Sequence, residues 1–439
     1  MQERVTILGG GVSGIGAAIL AKKKGFNVFL SDKKTLSEDT KDLLEENNID
    51  WEDGNHTLNK IINSNEVIIS PGIPKSSTVI KKLKSLNIPI ISEIEFGFRY
   101  SKGKIVAITG TNGKTTTTLL VGHILKKSGY DVLVAGNIGT SFCMSLVNRD
   151  YKYIVLELSS FQLERVDHFR PNIAIILNIT PDHLDRYDFD FTKYKKTKYR
   201  ISKNQISSDT LIYNSDNINA NEIDTSAKKI PISLNKQIKV GGYINNNQII
   251  INTNNTTMNI QDLALQGKHN IFNSMAAAVA ARVFEVKDSV IRQSMIDFQN
   301  IEHRLEYVLT VHGIDFINDS KATNINATWF ALESMNKKVI WIAGGVDKGN
   351  DYAKLDDLVK SKVKSIVCLG TDNKNLIDSF SNKVEHIVHA SSMKDAVFQS
   401  YNIANSGDVV LLSPSCASFD LFKNFEDRGL QFKQQVRSL

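Results

Sequence analysis

At 439 residues the chain is longer than one core usually organises, so two or three domains are expected. The net charge of +6 is carried by scattered lysines without interleaved aromatics, which argues against nucleic acid and suits small anions. No apolar run reaches membrane-span length, the N-terminus enters a strand directly, and Cys143, Cys368 and Cys416 form no metal-spaced pair. A cytoplasmic protein with no membrane partner is expected.

The first α/β section opens with an apolar run at residues 5–8, then Gly9-Gly10-Gly11-Val12-Ser13-Gly14 and an alanine-rich helix. Further strands are expected at 27–30 (ending at Asp32), at 67–70 before Pro71-Gly72, and at 88–91; a helix and a short link fill 93–104. Strands alternating with helices indicate a parallel sheet. Gly9-x-Gly11-x-x-Gly14 with an acid at Asp32 has the form of a dinucleotide fingerprint. Such a turn serves a nicotinamide dinucleotide, the diphosphate of a nucleotide-sugar, or chain geometry alone. A stronger phosphate loop downstream favours the second use.

That loop opens the second section. The β-branched run at 105–109 leads into Gly110-Thr111-Asn112-Gly113-Lys114-Thr115-Thr116 and a helix. Gly110 and Gly113 let backbone N–H groups turn around an anion, the helix start adds partial positive charge, and Lys114 adds a full one. A threonine hydroxyl can reach magnesium. Ile108 stands where GxxxxGK[ST] has its first glycine, so this is a variant triphosphate cradle. The competing reading is an ordinary strand–turn–helix with a surface lysine.

Glu157 ends an apolar strand at 153–158, where ligands gather in open parallel sheets, and can hold magnesium there; the plain alternative is an acid facing solvent. After a strand at 173–179, Asn178-Ile179-Thr180-Pro181-Asp182-His183 brings a histidine to the same end. Lys198, on a helix over 194–201 with Lys195 and Lys196, reads by itself as part of a solvated face. The Asn-rich stretch 204–262 reads as small antiparallel hairpins. His269-Asn270-Ile271-Phe272-Asn273 then leads into an alanine-rich helix over 274–284.

The third section starts near residue 301, with strands at 339–343, 365–369 and 409–412. Glu302-His303-Arg304 precedes a strand and Asn318-Asp319-Ser320-Lys321-Ala322-Thr323-Asn324 follows one. They supply a guanidinium, an acid, an ammonium and hydroxyls suited to a transferring phosphate and a carboxylate. Lys348 and the run Ser413-Pro414-Ser415-Cys416-Ala417-Ser418-Phe419-Asp420 also lie at strand ends. Cys416 has small neighbours and no nearby histidine in sequence, so packing is the better reading than a nucleophile.

Taken together, the loop at 109–116, Glu157, the Asn-x-Thr-x-Asp-His segment, His269-Asn270-x-x-Asn273 and His303-Arg304 resemble the Mur ligase family. The 318–324 and 413–429 segments resemble those of its D-glutamate-adding branch. The resemblance implies an α/β fold of three domains. A Rossmann-like UDP-binding domain spans 1–94, and a central P-loop ATP-binding domain with a parallel sheet plus a small antiparallel sheet spans 95–300. A Rossmann-like amino-acid domain spans 301–439.

It also implies ATP-dependent joining of D-glutamate to UDP-N-acetylmuramoyl-L-alanine through an acyl phosphate, in cytoplasmic peptidoglycan precursor synthesis by a monomer. ATP would meet residues 110–116, Asn270, Asn273, Arg304 and Asp319. Two magnesium ions would be held by Thr115, Glu157, His183 and a carbamylated Lys198, with Lys114 and Lys321 also catalytic. The acceptor would meet Val12, Ser13, Asp32, Ser70, Pro71, Gly72, Asn137 and His183. D-Glutamate would meet Thr323, Lys348, Ser418, Phe419 and Phe425. The competing functions are another Mur-type or folylpolyglutamate-type ligase, and a nicotinamide-dependent oxidoreductase built on the first glycine turn.

Overall fold

The computed structural model describes residues 3–253, 256–259, 262–265, 267–298, 302–347 and 349–439. Two compact units form, Met1–Leu263 with Phe272–Asp297, and Ala264–Ile271 with Phe298–Leu439. Among the described residues no helix is long and apolar enough to cross a membrane.

The first unit contains two sheets. The N-terminal sheet has β1 (Arg4–Leu8), β2 (Asn27–Ser31), β3 (Asp50–Glu52), β4 (Glu66–Ile69) and β5 (Ile90–Ser92), all parallel, in the order β3-β2-β1-β4-β5. Its central strands are continuous apolar runs because both faces are covered: Ile7, Leu8 and Val67 are fully buried. The chain reverses direction across the sheet between β1 and β4, so the turns after these two strands open side by side. Helix Val12–Lys23 packs closely on Phe142–Ser145, because a Cβ at Gly16 would lie 2.1 Å from Ser141 Oγ.

Helix Glu93–Tyr100 connects the first sheet to the second and is held by its own acids. Ser92 caps it through Glu95 N, and the buried Glu95 carboxylate accepts the N–H groups of Asp167, His168 and Phe169 at 2.8–3.1 Å. Glu93 accepts Ser141 Oγ and Cys143 N at 2.6 and 2.7 Å, and burial raises its pKa.

The second sheet has β6 (Lys104–Thr109), β7 (Val132–Gly136), β8 (Tyr153–Glu157), β9 (Ile173–Ile176), β10 (Thr210–Asn214), β11 (Lys228–Ser233), β12 (Gly242–Asn245), β13 (Gln248–Ile251) and β14 (Thr256–Asn259). The order is β14-β13-β12-β11-β10-β9-β6-β8-β7. The Asn-rich stretch departs from its expected hairpins in the first half. β10 and β11 pair parallel and extend the central sheet, while β12, β13 and β14 are antiparallel and continue that same sheet. Alternation of side chains does not encode pairing direction, and β10 is buried along its whole length, as a strand covered on both faces is. Helix Lys268–Val283 starts earlier than expected, so Asn270 and Asn273 lie on it rather than before it.

The second unit has β15 (Glu306–Val311), β16 (Ile314–Asn318), β17 (Val339–Ala343), β18 (Val363–Leu369), β19 (His386–Ala390) and β20 (Val409–Leu412), ordered β15-β16-β20-β17-β18-β19. Only the β15–β16 pair is antiparallel among these described strands. Trp341, fully buried, donates to Ser413 O at 2.7 Å and ties β17 to the segment after β20.

Candidate active site

Strand register sets this site. β6 lies between β8 and β9, with Ile108 opposite Glu157 and Thr109 opposite Ile176, so their carboxyl ends are level. The loop after β6 turns at Gly113, where a φ of +83° and a Cβ position 2.4 Å from Asn273 Oδ1 both demand glycine. Helix Lys114–Lys127 begins there, with Thr115 and Thr116 buried in its first turn. Lys114 folds back, its Nζ donating to Gly110 O and Thr111 O at 2.9 and 2.8 Å.

Residues after β9 clamp the loop. Asn178 Oδ1 accepts the N–H groups of Thr111 and Asn112 at 3.1 and 2.9 Å, and its Nδ2 donates to Asn112 O at 3.0 Å. Thr111 Oγ1 donates to Thr180 O at 3.0 Å and lies 3.1 Å from Tyr194 Oη. The Thr111 and Asn112 N–H groups are therefore committed to Asn178, narrowing the cradle that sequence reading drew over the whole loop. Asn178, Thr180 and Tyr194 were not singled out as loop anchors from sequence. Their only signal was position, just past a strand or on the helix that follows.

Lys198 is 2% exposed, not part of a solvated face. Helix Phe191–Tyr199 starts at Asp190, which accepts Thr192 N and Lys193 N. Lys193 and Lys195 pair outward with Asp188 and Glu222, while Lys198 points in. Its Nζ donates to Gly110 O at 2.8 Å and lies 4.8 Å from the Tyr194 ring centroid. Burial, then repulsion from Lys114, holds its pKa well below the ordinary lysine value, against the pull of Asp182 and Glu157.

Glu157 is 2% exposed, which removes the solvent-facing reading. Asn137 Nδ2 donates to its Oε1 at 2.9 Å, whereas Oε2 is buried without a hydrogen bond. A buried carboxylate oxygen with no donor is unfavourable unless a cation completes it, so Glu157 fits a magnesium ligand. His183 adopts φ +50°, with its ring edge-on to Phe161 at 5.1 Å and its Nε2 3.7 Å from Asp182. Among the described residues no group of three or more His, Cys, Asp or Glu forms a metal cluster.

The first glycine turn is a tight construction. A Cβ at Gly14 would lie 1.8 Å from Gly9 O, and Ser70 Oγ donates to that same carbonyl at 3.1 Å. Asp32 accepts Gly10 N at 2.5 Å and Lys34 N at 2.8 Å, so its carboxylate braces the turn. Ser13, Ser70 and Pro71 line one cavity with Phe161, Gln162 and Arg186. Sequence reading did not assign the last three. Val12, 66% exposed, and Gly72 are not in this lining.

In the second unit Asp319 is buried, accepting Ser413 Oγ on Oδ2 at 2.9 Å and Leu305 N on Oδ1 at 3.2 Å. Burial raises its pKa to about 7, opposed chiefly by the nearby Arg304. Burial and then Arg304 lower His269, beside Asn270, to about 4. Lys321 Nζ lies 5.1 Å from the Phe425 ring centroid, and Ser320 Oγ donates to Phe425 O. Arg428, which sequence reading gave no role of its own, is buried and bonds Ser320 O and Cys416 O at 2.8 and 3.2 Å.

Thr323 donates its N–H to Lys321 O; Ser418 is buried, and Phe419 is 72% exposed. Lys348 lies outside the described residues. The Cys416 thiol is pushed up to about 11 by burial, as its packing role requires.

A glycine-cornered loop, a helix start and two inward lysines at the end of a parallel sheet define a P-loop-type nucleotide-binding protein. Models of the MurD N-terminal domain, the Mur ligase middle domain and the Mur ligase glutamate ligase domain match residues 4–79, 108–281 and 303–416. The chain belongs to the Mur ligase family.

A UDP-N-acetylmuramoylalanine--D-glutamate ligase of Christiangramia forsetii is 49% identical over 445 residues, covering 100% of both chains. Its namesake in Bacteroides thetaiotaomicron is 47% identical over 447 residues, again covering 100% of both. Among solved structures, the UDP-N-acetylmuramate-alanine ligase MurC of Thermotoga maritima matches with TM-score 0.62 at 20% identity over 100% of both chains. The MurF ligase of that organism, in complex with ADP, gives 0.62 at 13% identity over 94% of this chain and 95% of that one. These structures bear on the fold alone.

Proposed function

We propose that this chain joins D-glutamate to UDP-N-acetylmuramoyl-L-alanine at the expense of ATP, releasing ADP and phosphate, in cytoplasmic peptidoglycan precursor synthesis. One observation carries the reading: Lys114 and Lys198 converge on Gly110 O, after the strand whose Ile108 lies opposite Glu157, in a chain aligned end to end with ligases of that name. A nicotinamide reading has less support, since the Asp32 carboxylate that would take a ribose already braces Gly10 and Lys34.

A carboxylate is a poor electrophile, so its oxygen first attacks the γ-phosphorus of ATP and ADP leaves. The amine of D-glutamate then attacks the acyl phosphate carbon, loses a proton, and phosphate departs as the amide forms. Lys114 offsets charge on the transferring phosphoryl group, and Gly113 gives the loop backbone its approach to the phosphates. Asn270, Asn273, Arg304 and Asp319 complete the ATP site in this reading. Lys348, Thr323, Ser418, Phe419 and Phe425 receive D-glutamate, with Lys321 beside the reacting groups.

In this reading the reaction uses two magnesium ions. Thr115 and Glu157 would hold one, and His183 with a carbamylated Lys198 the other; bound there, the ions would neutralise phosphate charge. A low lysine pKa favours the carbamate. The neutral amine attacks CO2, an N–C bond forms, and the released proton leaves an anionic oxygen pair. The acceptor would lie along Ser13, Ser70, Pro71 and Gly72 toward Asn137 and His183, with Val12 and Asp32 at the turn. We place the domain boundaries at 94/95 and 300/301 and expect a monomer. The test is phosphate release from ATP that requires both the UDP-muramoyl-alanine acceptor and D-glutamate; release with L-glutamate, L-alanine or diaminopimelate instead would sink the assignment.

A further inference from the structure

Arg428, in the first turn of helix Phe425–Val436, is 1% exposed. Its Nε donates to Ser320 Oγ at 3.0 Å, Nη1 to Cys416 O at 3.2 Å, and Nη2 to Ser320 O and Cys416 O at 2.8 and 3.3 Å. These acceptors are neutral. Burial lowers the Arg428 pKa to about 10, opposed by Cys416, Asp420 and Asp319, so the guanidinium stays charged at neutral pH. A link between two carbonyls needs no charge, and a buried charge on neutral acceptors keeps much of its desolvation cost.

The two carbonyls belong to segments that receive the amino acid in the reading above. Ser320 precedes Lys321 and Thr323, and Cys416 precedes Ser418 and Phe419. Ser320 Oγ, while accepting from Arg428, donates to Phe425 O at 2.8 Å, which adds the first residue of the helix itself. Ala417 exchanges backbone hydrogen bonds of 2.9 and 3.2 Å with Val346, so the strap extends to the chain just before Lys348. Gly429 lets the helix sit this close, because a Cβ there would lie 2.2 Å from His303 Nδ1. One side chain thus ties together the segments assigned to D-glutamate. Its donors are spent on the protein, so it acts on the amino acid without touching it.

We propose that Arg428 is a positioning residue for the amino-acid substrate. Its fork sets the spacing of the 320–323 and 416–419 segments, and its charge adds a positive potential that suits a substrate with two carboxylates. The inference rests on the D-glutamate reading above and deepens it.

The test uses full-length Arg428→Gln, Arg428→Lys and Ser320→Ala enzymes, with kcat and the KM for each substrate measured by phosphate release and folding by thermal melting. Arg428→Gln removes the charge and the fork, Arg428→Lys keeps the charge, and Ser320→Ala removes one acceptor and leaves the guanidinium in place. D-Glutamate KM should rise at least about tenfold in Arg428→Gln and about threefold in the other two. The kcat at saturating D-glutamate, and the KM values for ATP and the acceptor, should stay within about twofold. A merely structural prop would disturb ATP as well, because Asp319 of the ATP site adjoins Ser320.

An unchanged D-glutamate KM in a folded variant overturns the proposal, and so does a KM for ATP that rises in step with it. An Arg428→Lys enzyme no better than Arg428→Gln overturns the electrostatic part. Should Arg428→Gln fail to fold, Arg428→Lys and Ser320→Ala decide by the same comparison of D-glutamate with ATP. Failure of the D-glutamate reading itself shows elsewhere, as an unaltered enzyme that releases no phosphate in response to D-glutamate.

Discussion

Lys114 and Lys198 donate to one carbonyl, Gly110 O, at 2.9 and 2.8 Å. Burial lowers the pKa of Lys198, and repulsion between the two ammonium groups on this single acceptor lowers it further. A neutral Lys198 amine is able to take up CO2. Enzyme prepared free of CO2 should therefore lose activity and regain it with added bicarbonate. Lys198→Ala should lower kcat at least about a hundredfold, with formate or acetate restoring part of it. A Lys198→Ala enzyme as active as the unaltered one would end the carbamate proposal.

Lys114→Ala tests the other half of the pair. Loss of the cation that meets the γ-phosphoryl group should reduce turnover about a thousandfold, with unchanged circular dichroism. The same substitution removes the charge that repels the Lys198 ammonium, so the Lys198 pKa should rise toward its ordinary value. Titration of the labelled Lys198 side chain by NMR reads that rise directly. Robust turnover in this variant would dismiss the phosphate-cradle assignment.

Asn137 and Glu157 make a third test. Asn137 occupies one Glu157 oxygen and leaves the other open, which orients the carboxylate. Glu157→Gln should raise the magnesium concentration needed for half-maximal activity more than tenfold, and Asn137→Ala by a smaller factor. If Asn137 serves only the acceptor, Asn137→Ala will change the acceptor KM and leave the magnesium titration where it was.

Much of this site was readable because its chemistry depends on residue types that crowd into short segments. Gly110 to Thr116 announced a phosphate loop through glycine placement, and Glu157 through its place at the end of an apolar strand. Lys198 was different. Its lysine-rich helix gives no local sign of which lysine turns inward; that depends on Asp190 starting the helix and on Tyr194 and Gly110 lying beneath it. Asn178 and Arg428 were equally silent, since each acts by bonding backbone from a segment more than ten residues away or on another strand. In the fold, parallel order in the first two sheets followed from alternating strands and helices. The pairing of β10 and β11 did not, because the connection between those strands carries only a single 3-10 turn, Ala220–Glu222, and no amphipathic α-helix to signal a parallel crossover.

Asp319 supplies a pH test with a defined sign. Burial raises its pKa from the ordinary 3.8 to about 7, even with Arg304 nearby and Ser413 Oγ donating to it. The folded state therefore holds its proton across a window in which the unfolded chain has lost it. Stability from this group is fully present below about pH 3.8, declines as pH rises through the window, and is lost above about 7. The full shift corresponds to an effect on the order of 2–4 kcal/mol. Asp319→Asn keeps an acceptor for Leu305 N and has no proton to lose. Its urea midpoint should consequently fall less than that of the unaltered protein between pH 4.5 and 8, although its ligase activity should drop wherever ATP must be bound. Parallel midpoint curves for the two proteins would mean that Asp319 is ionised throughout, with Arg304 outweighing burial.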